Sequence, residues 1–379
     1  MPVFKLCGRN NMKVCFTYVG PLKFRGRLFK QIKTLQREGF ECLLIHGQTE
    51  DNPPDYSIYD FPVFPIRVRQ GKLRILTLAS QLNFAQKAAR VIKKIGVGTV
   101  VCVALQSALS GAIAKNQNPK IKFIFDNNEL SLEMINSGVK RKVWSVIHKY
   151  IIRHTDVIIH AENQRLNYFH RTYKTSAKPF LLENLPFYRK SSPVRDRSKK
   201  ISCVYVGLFM PGRFCTEMLT AFSKENSLNA TFDMVGFYGR SEYKQTIDKT
   251  IAGMEDTSKI RILPPVHHND MYDFLASYDI GLAFYSNTNL NNYYCAPNKI
   301  YDYIQMGIPV VTNDYPGLID VVQNNGIGVC IPKVDTEHIR SAVQKIDENN
   351  MYANIDDTVR KRFSWENQEN GYLQLFHEI

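Results

Sequence analysis

A chain of 379 residues is long enough for two domains of ordinary size, each with its own hydrophobic core. Its 44% hydrophobic and 22% charged residues are typical of a folded globular protein, and it contains no low-complexity tract. The net charge of +14 is unevenly spread: residues 1–200 carry 35 Lys and Arg against 13 Asp and Glu, whereas residues 201–379 carry 14 against 22. We therefore expect the halves to have different partners, with the basic half attracted to anionic lipid head groups or to nucleic acid.

The cysteines and the N-terminal residues bear on the cellular compartment. The eight cysteines form no Cys-x-x-Cys pair and several lie in apolar runs, which predicts buried free thiols in a reducing, cytoplasmic environment. Residues 1–11 lack the apolar core of a signal peptide, and both Met1 and Met12 are candidate starts. Residues 97–114 are apolar but are interrupted by polar residues and glycines, so we predict a buried strand followed by a helix rather than a membrane span.

Strand and helix patterns alternate through the first half of the chain. A first strand over 12–19 ends at Gly20, and a basic loop containing Arg27 leads into a helix that ends at Gly39. Further strands are predicted at 42–45, 63–68, 99–104, 121–125, 156–159 and 180–182, with helices at 79–95, 107–115 and 140–154. This order predicts a parallel sheet covered by helices. The absence of Gly-x-Gly-x-x-Gly argues against a dehydrogenase-type dinucleotide site.

Two features of the first half have a functional and a structural interpretation. Polar residues 126–129 follow a predicted strand, where open parallel sheets bind ligands. The basic helix over 140–154 has an apolar stripe that suits either a membrane surface or, more often, packing on its own sheet.

The second half repeats the same alternation after a polar, basic linker over 187–200. Strands are predicted at 201–207, 231–235, 259–263, 280–284, 308–311 and 329–331, and helices at 217–222, 243–252, 270–277, 336–345 and 365–378. A further short helix begins at Pro297, presents Ile300, Tyr303 and Ile304 to the core and stops at Gly307. The order predicts two doubly wound domains that face each other across a cleft.

Three stretches of the second half follow successive strands at one edge of the predicted sheet. The turn from Gly207 to Arg213 offers a helix start and a guanidinium to a diphosphate. Gly236 follows the next strand and would let a nucleotide approach the backbone. Lys299, Asp302 and Gln305 lie on the polar side of the short helix, and the first two are either ligand contacts or an i,i+3 surface pair worth roughly 0.2–0.5 kcal/mol.

Other chemistries have little support in the sequence. There is no Walker-type phosphate loop and no Gly-x-Ser-x-Gly nucleophile motif. His267 and His268 are adjacent, and neighbouring residues of a strand point to opposite faces, so we expect no metal site there.

Taken together, the motifs resemble those of retaining glycosyltransferases of the GT-B fold, glycosyltransferase family four, over nearly the whole chain. The resemblance rests on Val206-Gly207 followed by Arg213, and on the block from Pro297-Asn298-Lys299 through Asp302 to Gly307-Ile308-Pro309-Val310-Val311. Residues 126–129 resemble the family's Asp-x-His-Glu, and Glu183-Asn184 its strand end before the linker.

The resemblance implies an acceptor-binding domain over 1–186, a linker over 187–200, a donor-binding domain over 201–362 and a helix over 363–379 that returns to the first domain. It implies catalytic roles for Arg213 and Lys299 on the departing diphosphate, and a role for Asp302 on the ribose hydroxyls. The donor-binding set is Gly207, Arg213, Gly236, Tyr294, Pro297, Asn298, Lys299 and Asp302, and the acceptor-binding set is Gly20, Arg27, Asn128 and Glu129.

Three positions depart from the family pattern. Tyr294 stands where the family has a first glutamate, Leu208 where it has an arginine, and Asn128 where it has a histidine. Loss of a cation and a carboxylate leaves open a non-catalytic nucleotide-sugar- or carbohydrate-binding protein that partners an active enzyme.

The resemblance implies a metal-independent hexosyltransferase of surface polysaccharide or glycolipid biosynthesis. A UDP or GDP sugar would be the donor and a glycan or lipid-linked molecule the acceptor, with no further cofactor. The basic half predicts peripheral association with an anionic membrane, at the inner face of the plasma membrane, rather than binding to nucleic acid.

Overall fold

The computed structural model describes residues 13–23, 25–69, 74–135, 138–190, 200–223 and 229–379. The chain divides into two compact units. Unit 1 comprises the described residues up to Glu183 together with Glu369–Ile379, and unit 2 comprises those of Asn184–Gln368. Most of the predicted linker, and the two candidate start residues, lie outside the described ranges.

Unit 1 is built on a parallel sheet that has seven strands in the described ranges. The strand order is β3-β2-β1-β4-β5-β6-β7. The strands are β1 (Lys13–Val19), β2 (Glu41–Gln48), β3 (Val63–Arg67), β4 (Thr99–Val103), β5 (Lys122–Asn127), β6 (Val157–His160) and β7 (Lys178–Leu181). The connecting helices are α1 (Gly26–Arg37), α2 (Arg74–Ile95), α3 (Leu105–Gln117), α4 (Val139–His154) and α5 (Asn163–Thr172).

Unit 2 contains a second parallel sheet, with six strands in the part of the chain described. Their order is β10-β9-β8-β11-β12-β13. The strands are β8 (Ile201–Phe209), β9 (Ala230–Tyr238), β10 (Ile260–Leu263), β11 (Ile280–Ala283), β12 (Val310–Asn313) and β13 (Gly328–Ile331). The helices are α6 (Cys215–Ala221), α7 (Ser241–Ala252), α8 (Met271–Leu275), α9 (Leu290–Tyr293), α10 (Asn298–Gln305), α11 (Pro316–Leu318), α12 (Thr336–Glu348), α13 (Asp357–Arg362) and α14 (Trp365–Glu378), of which α14 begins in unit 2 and belongs to unit 1 from Glu369 onward.

The two sheets have the same doubly wound order, which confirms the predicted α/β class with two Rossmann-like sheets. In each, the strand order reverses between the first and the fourth strand: β1 and β4 in unit 1, and β8 and β11 in unit 2. Loops diverge at such a switch point and leave a crevice outside the carboxyl ends of the strands, which is where these folds bind ligands. The topology therefore makes the loops after β8 and β11 the candidate ligand-binding region of unit 2.

Helix α10 shows how the sequence positions one wall of that region. Ile300, Tyr303 and Ile304 are all buried, as their spacing predicted, and Gly307 closes the helix with φ +70°. Gln305 was expected on the polar side, but it is fully buried because its amide nitrogen donates to the backbone oxygens of Arg360 and Phe363 at 2.7 and 2.9 Å. These two hydrogen bonds hold the buried side of α10 in place, and Lys299 and Asp302 lie away from that side.

The basic helix α4 packs against its own unit. Trp144, His148, Ile151 and Ile152 are buried, which supports the packing interpretation of its apolar stripe. Residues 97–114 form β4 and most of α3, as predicted. None of the helices in the described residues is long and apolar enough to cross a membrane.

Candidate functional site

The loop after β8 is tied to the end of β11 at the switch point of unit 2. The backbone N–H of Ser286 donates to the carbonyl of Gly212 at 2.9 Å, and that of Arg213 donates to the carbonyl of Met210 at 3.1 Å. The turn therefore holds Arg213 beside Tyr285, the residue before Ser286, and the guanidinium carbon lies 4.1 Å from the centre of the Tyr285 ring.

Two glycines remove side chains from the edge of the sheet next to this turn. Gly207 and Gly236 are paired in register on β8 and β9, with φ of +150° and +148°. A Cβ on Gly236 would lie 1.8 Å from the carbonyl oxygen of Gly207, so no other residue fits without moving the backbone. The strand ends thus leave bare backbone at the edge where Gly236 was expected to admit a nucleotide.

Lys299 reaches the same place from the first turn of α10. Its ammonium lies 3.9 Å from the centre of the Tyr205 ring and 5.8 Å from that of Tyr285, and it would be 2.8 Å from a Cβ on Gly207. The structure therefore brings together Gly207, Arg213 and Lys299, which the sequence placed at separate strand ends. In the described residues neither cation has a carboxylate within salt-bridge distance.

The proximity of the two cations alters the chemistry of Lys299. Burial, and then the positive charge of Arg213, lower the pKa of the Lys299 ammonium to about 7. Two cations on neutral tyrosine rings favour an anion between them, and a bound anion would restore the full charge of Lys299. This arrangement suits the diphosphate predicted from the sequence.

Asp302 takes a different direction from Lys299, so the i,i+3 surface pair is not what forms. The hydroxyl of Tyr272, on α8, donates to the Asp302 Oδ1 at 2.9 Å. At the start of α10, Pro297 is the residue before the helix, and the exposed Asn298 accepts at its side-chain oxygen from the Asn184 amide at 2.8 Å. The structure thus joins Asn184 and Asn298, two motif residues far apart in sequence.

Two of the positions that depart from the family pattern lie in unit 2. Tyr294 follows α9, and its ring packs edge-to-face on Tyr293 with 4.9 Å between centroids. Leu208 is paired in register with Phe237, and these side chains are 37% and 51% exposed. The strand ends therefore present an apolar pair where the family has an arginine.

In unit 1, Arg27 lies in the first turn of α1 rather than in a loop, and it is buried. Its Nη2 forms an ion pair with Asp126 at 2.6 Å, and the Gln31 amide donates to the other Asp126 oxygen at 2.8 Å. Burial raises the pKa of Asp126, and the charge of Arg27 opposes that rise. The Arg27 Nε and Nη1 are buried without a partner in the described residues, so its predicted contact with an acceptor stays a prediction.

The other predicted acceptor residues lie at the carboxyl edge of the first sheet. Gly20 has φ +129°, and its carbonyl lies 2.7 Å from the His46 Nε2. The backbone oxygen of Asn128 accepts from Arg165 at 2.8 Å, its side-chain oxygen is buried without a partner in the part of the chain described, and Glu129 is exposed. Their role in binding an acceptor is not tested by these contacts.

Three tyrosines at the site of unit 2 were not predicted from the sequence: Tyr205, Tyr272 and Tyr285. Tyr285 directly follows a predicted buried strand, so its position at a strand end was a usable signal. Tyr205 lies inside β8 and Tyr272 lies on a helix 30 residues before its partner Asp302, and no local pattern distinguishes either from a core aromatic.

Known proteins resemble this chain at two levels, and the first is the fold. The structure superposes on the sucrose-phosphate synthase of Thermosynechococcus elongatus with a TM-score of 0.73 at 15% identity, covering 97% of this chain and 98% of that one. It superposes on HepE of Anabaena in complex with UDP-glucose with a TM-score of 0.75 at 12% identity, covering 97% and 100%. The predicted GT-B class is confirmed by these likenesses, which at such identities show the fold alone.

The second level is a sequence match. Residues 202–349 match the family model described as "Glycosyl transferases group 1". That segment contains the glycine pair, both cations and Asp302, but it is less than half of the chain. None of the curated proteins matches the sequence.

Proposed function

We propose that this protein is a glycosyltransferase that moves a hexose from a nucleotide diphosphate sugar to a glycan or lipid-linked acceptor. The observation that carries the proposal is the convergence of Arg213 and Lys299 beside Gly207 at the switch point of unit 2. The match of residues 202–349 to a glycosyltransferase model supports it, as does the likeness to a protein solved with UDP-glucose.

The two cations supply the electrostatic part of the proposed reaction. As the bond between the sugar C1 and the diphosphate oxygen breaks, the electron pair leaves with that oxygen, and negative charge grows on the diphosphate. Arg213 and the protonated Lys299 would stabilise this charge, the task that a divalent cation performs in other transferases, so we propose a reaction without metal ion or further cofactor. Retention at C1 is proposed from the resemblance of the Pro297–Asp302 block to retaining enzymes.

Donor binding is assigned to unit 2 and acceptor binding to unit 1. The donor would contact Gly207, Arg213, Gly236, Lys299 and Asp302, and the acceptor would contact Gly20, Asn128 and Glu129. UDP and GDP sugars are both candidate donors.

Release of sugar and nucleotide from UDP- and GDP-sugar donors tests the proposal. Removing one preorganised donor that stabilises a developing anion typically costs 10²- to 10³-fold in rate, and we expect Arg213→Ala to lose about that much. Arg340→Ala is the matched control, since its guanidinium donates to the Ala221 carbonyl on another face of unit 2. Nucleotide binding without turnover would favour the non-catalytic alternative, and no binding of any nucleotide sugar would refute the donor site.

We also propose cytoplasmic, peripheral association with anionic membranes through unit 1. On α4 an exposed stripe alternates Val139 and Val146, 78% and 69% exposed, with the exposed Lys142 and Lys149. Each cation near an anionic surface contributes about 1 kcal/mol. Charge reversal of both lysines should release the protein from anionic liposomes at low salt, whereas reversal of two exposed lysines on α7 should not. Equal retention of both variants would contradict the assignment.

A further inference from the structure

The carboxylate of Asp302 is held by a residue that no motif includes. Tyr272, on α8, donates its hydroxyl proton to the Asp302 Oδ1 at 2.9 Å. Burial, and then the neighbouring carboxylate, raise the pKa of the Tyr272 hydroxyl, so it stays protonated and remains a donor across the physiological range. The bond fixes one oxygen of Asp302 and takes up one of the roughly four acceptor sites that a carboxylate has.

Tyr272 is itself fixed by the segment before β8. The guanidinium carbon of Arg189 lies 4.1 Å from the centre of the Tyr272 ring. The backbone N–H of Arg189 donates to the Gln305 side-chain oxygen at 2.9 Å, and its carbonyl accepts from Arg360 at 3.0 Å. Since Gln305 and Asp302 belong to the same helix, this segment, α8 and α10 together determine where the carboxylate points.

The need for such support follows from the length of the side chain. An aspartate is one methylene shorter than a glutamate, so its oxygens reach a bound hydroxyl only from a narrower range of orientations. A donor that holds Oδ1 selects one orientation before the ligand arrives, and preorganisation of this kind raises affinity by removing the cost of ordering.

We propose that Tyr272 is a positioning residue for ribose recognition: its hydroxyl orients the Asp302 carboxylate to accept hydrogen bonds from the ribose hydroxyls of the nucleotide. The inference rests on the proposed function, because it takes unit 2 to bind a nucleotide. It goes beyond that function by assigning a specificity role to a residue outside the family motifs.

Tyr278, in the same unit, provides the matched control for the possibility that the Tyr272 hydroxyl has only a structural role. Tyr278 donates its hydroxyl proton to the buried Asp233 at 2.5 Å, and Arg261 also pairs with Asp233. The same three residue types meet here, except that Arg261 pairs with the carboxylate whereas Arg189 lies over the Tyr272 ring, and none of the three belongs to the proposed site. Tyr278→Phe therefore removes an equivalent hydroxyl without touching ribose recognition.

Binding of UDP and GDP, each compared with its 2′,3′-dideoxy form, tests the inference on the full-length protein. Titration calorimetry of wild type should give weaker binding of the dideoxy forms. Tyr272→Phe should weaken binding of UDP or GDP about tenfold and leave binding of the dideoxy form unchanged, because a hydrogen bond to a charged group is worth about that factor. Tyr278→Phe should leave the ratio between the two forms as in wild type.

The outcomes separate the inference from the function on which it rests. If Tyr272→Phe weakens both forms equally, or neither, Tyr272 is only structural and the inference fails while donor binding stands. If wild type binds both forms equally, Asp302 does not recognise the ribose and the inference also fails. If wild type binds no nucleotide at all, the proposed function fails and the inference with it.

Discussion

Nucleotide-sugar binding should weaken as the pH rises above 7, because Lys299 loses its proton there. The folded-state pKa of Lys299 is lowered to about 7 by burial and by Arg213. A diphosphate binds the protonated form preferentially, so Lys299 must take up a proton from the solvent as the donor binds when the free protein lacks it. Binding and proton uptake are thereby linked.

The size of the effect follows from that pKa. At pH 8 only about one molecule in ten has Lys299 protonated, so the affinity should be about tenfold below its low-pH plateau, or ~1.4 kcal/mol. A second pH unit should cost about another factor of ten.

Titration calorimetry with UDP and GDP sugars from pH 6 to pH 9 measures this slope, and buffers of different ionisation enthalpy measure the proton uptake directly. Lys299→Arg should bind with a flat profile, since its charge no longer titrates. Lys244→Arg, on the exposed face of α7, should keep the wild-type slope. A flat wild-type profile, or an unchanged slope in Lys299→Arg, would refute the reasoning.

Three further predictions concern stability and are measured by urea unfolding. Gly236→Ala should cost about 3 kcal/mol because its Cβ meets a backbone carbonyl at a positive φ, whereas Gly239→Ala, whose Cβ would be at ordinary contact distance, should cost little. Arg27→Met should cost about 3–5 kcal/mol by leaving Asp126 buried without its cation, and adding Asp126→Leu should restore part of the loss. His160 is buried and its pKa is lowered to about 3, so below pH 6.5 the unfolded chain takes up a proton that the folded chain refuses. Stability should therefore fall by up to ~1.4 kcal/mol per pH unit on acidification, and less steeply in a His160→Gln variant. A wild-type free energy of unfolding in Gly236→Ala or in Arg27→Met would contradict the contact described at that position. An acid slope in His160→Gln as steep as that of wild type would contradict the role given to His160.

The elements of the fold could be predicted from sequence because their signals are local. Helix α10 has its predicted start, its buried stripe and its glycine stop within eleven residues; the structure reproduces the stripe and the stop, and the helix begins one residue later, at Asn298. The convergence of Arg213 and Lys299 was predictable only in part. The rule that parallel strands end at one edge places both residues there, but it does not say that both lie over the same tyrosine ring.

What the sequence could not predict depends on contacts between distant elements. Arg27 looks like a loop cation, and only the position of Asp126 on β5 makes it a buried partner. Gln305 looks like a surface residue until Arg360 of α13 and Phe363, which follows that helix, supply the carbonyls that its amide requires. In each case a polar side chain is buried because a partner far along the chain satisfies it, and no local period records that partner.

Helix α14 has a consequence for the order in which the protein is made. Its later residues belong to unit 1, where the Tyr372 hydroxyl donates to the Gln31 side chain and Phe376 packs edge-to-face on Phe40. Gln31 in turn holds Asp126. These residues leave the ribosome after all of unit 2, so the half that is translated first acquires its last core contacts only after the other half has been synthesised. Unit 1 is therefore the later of the two to complete its native packing during synthesis.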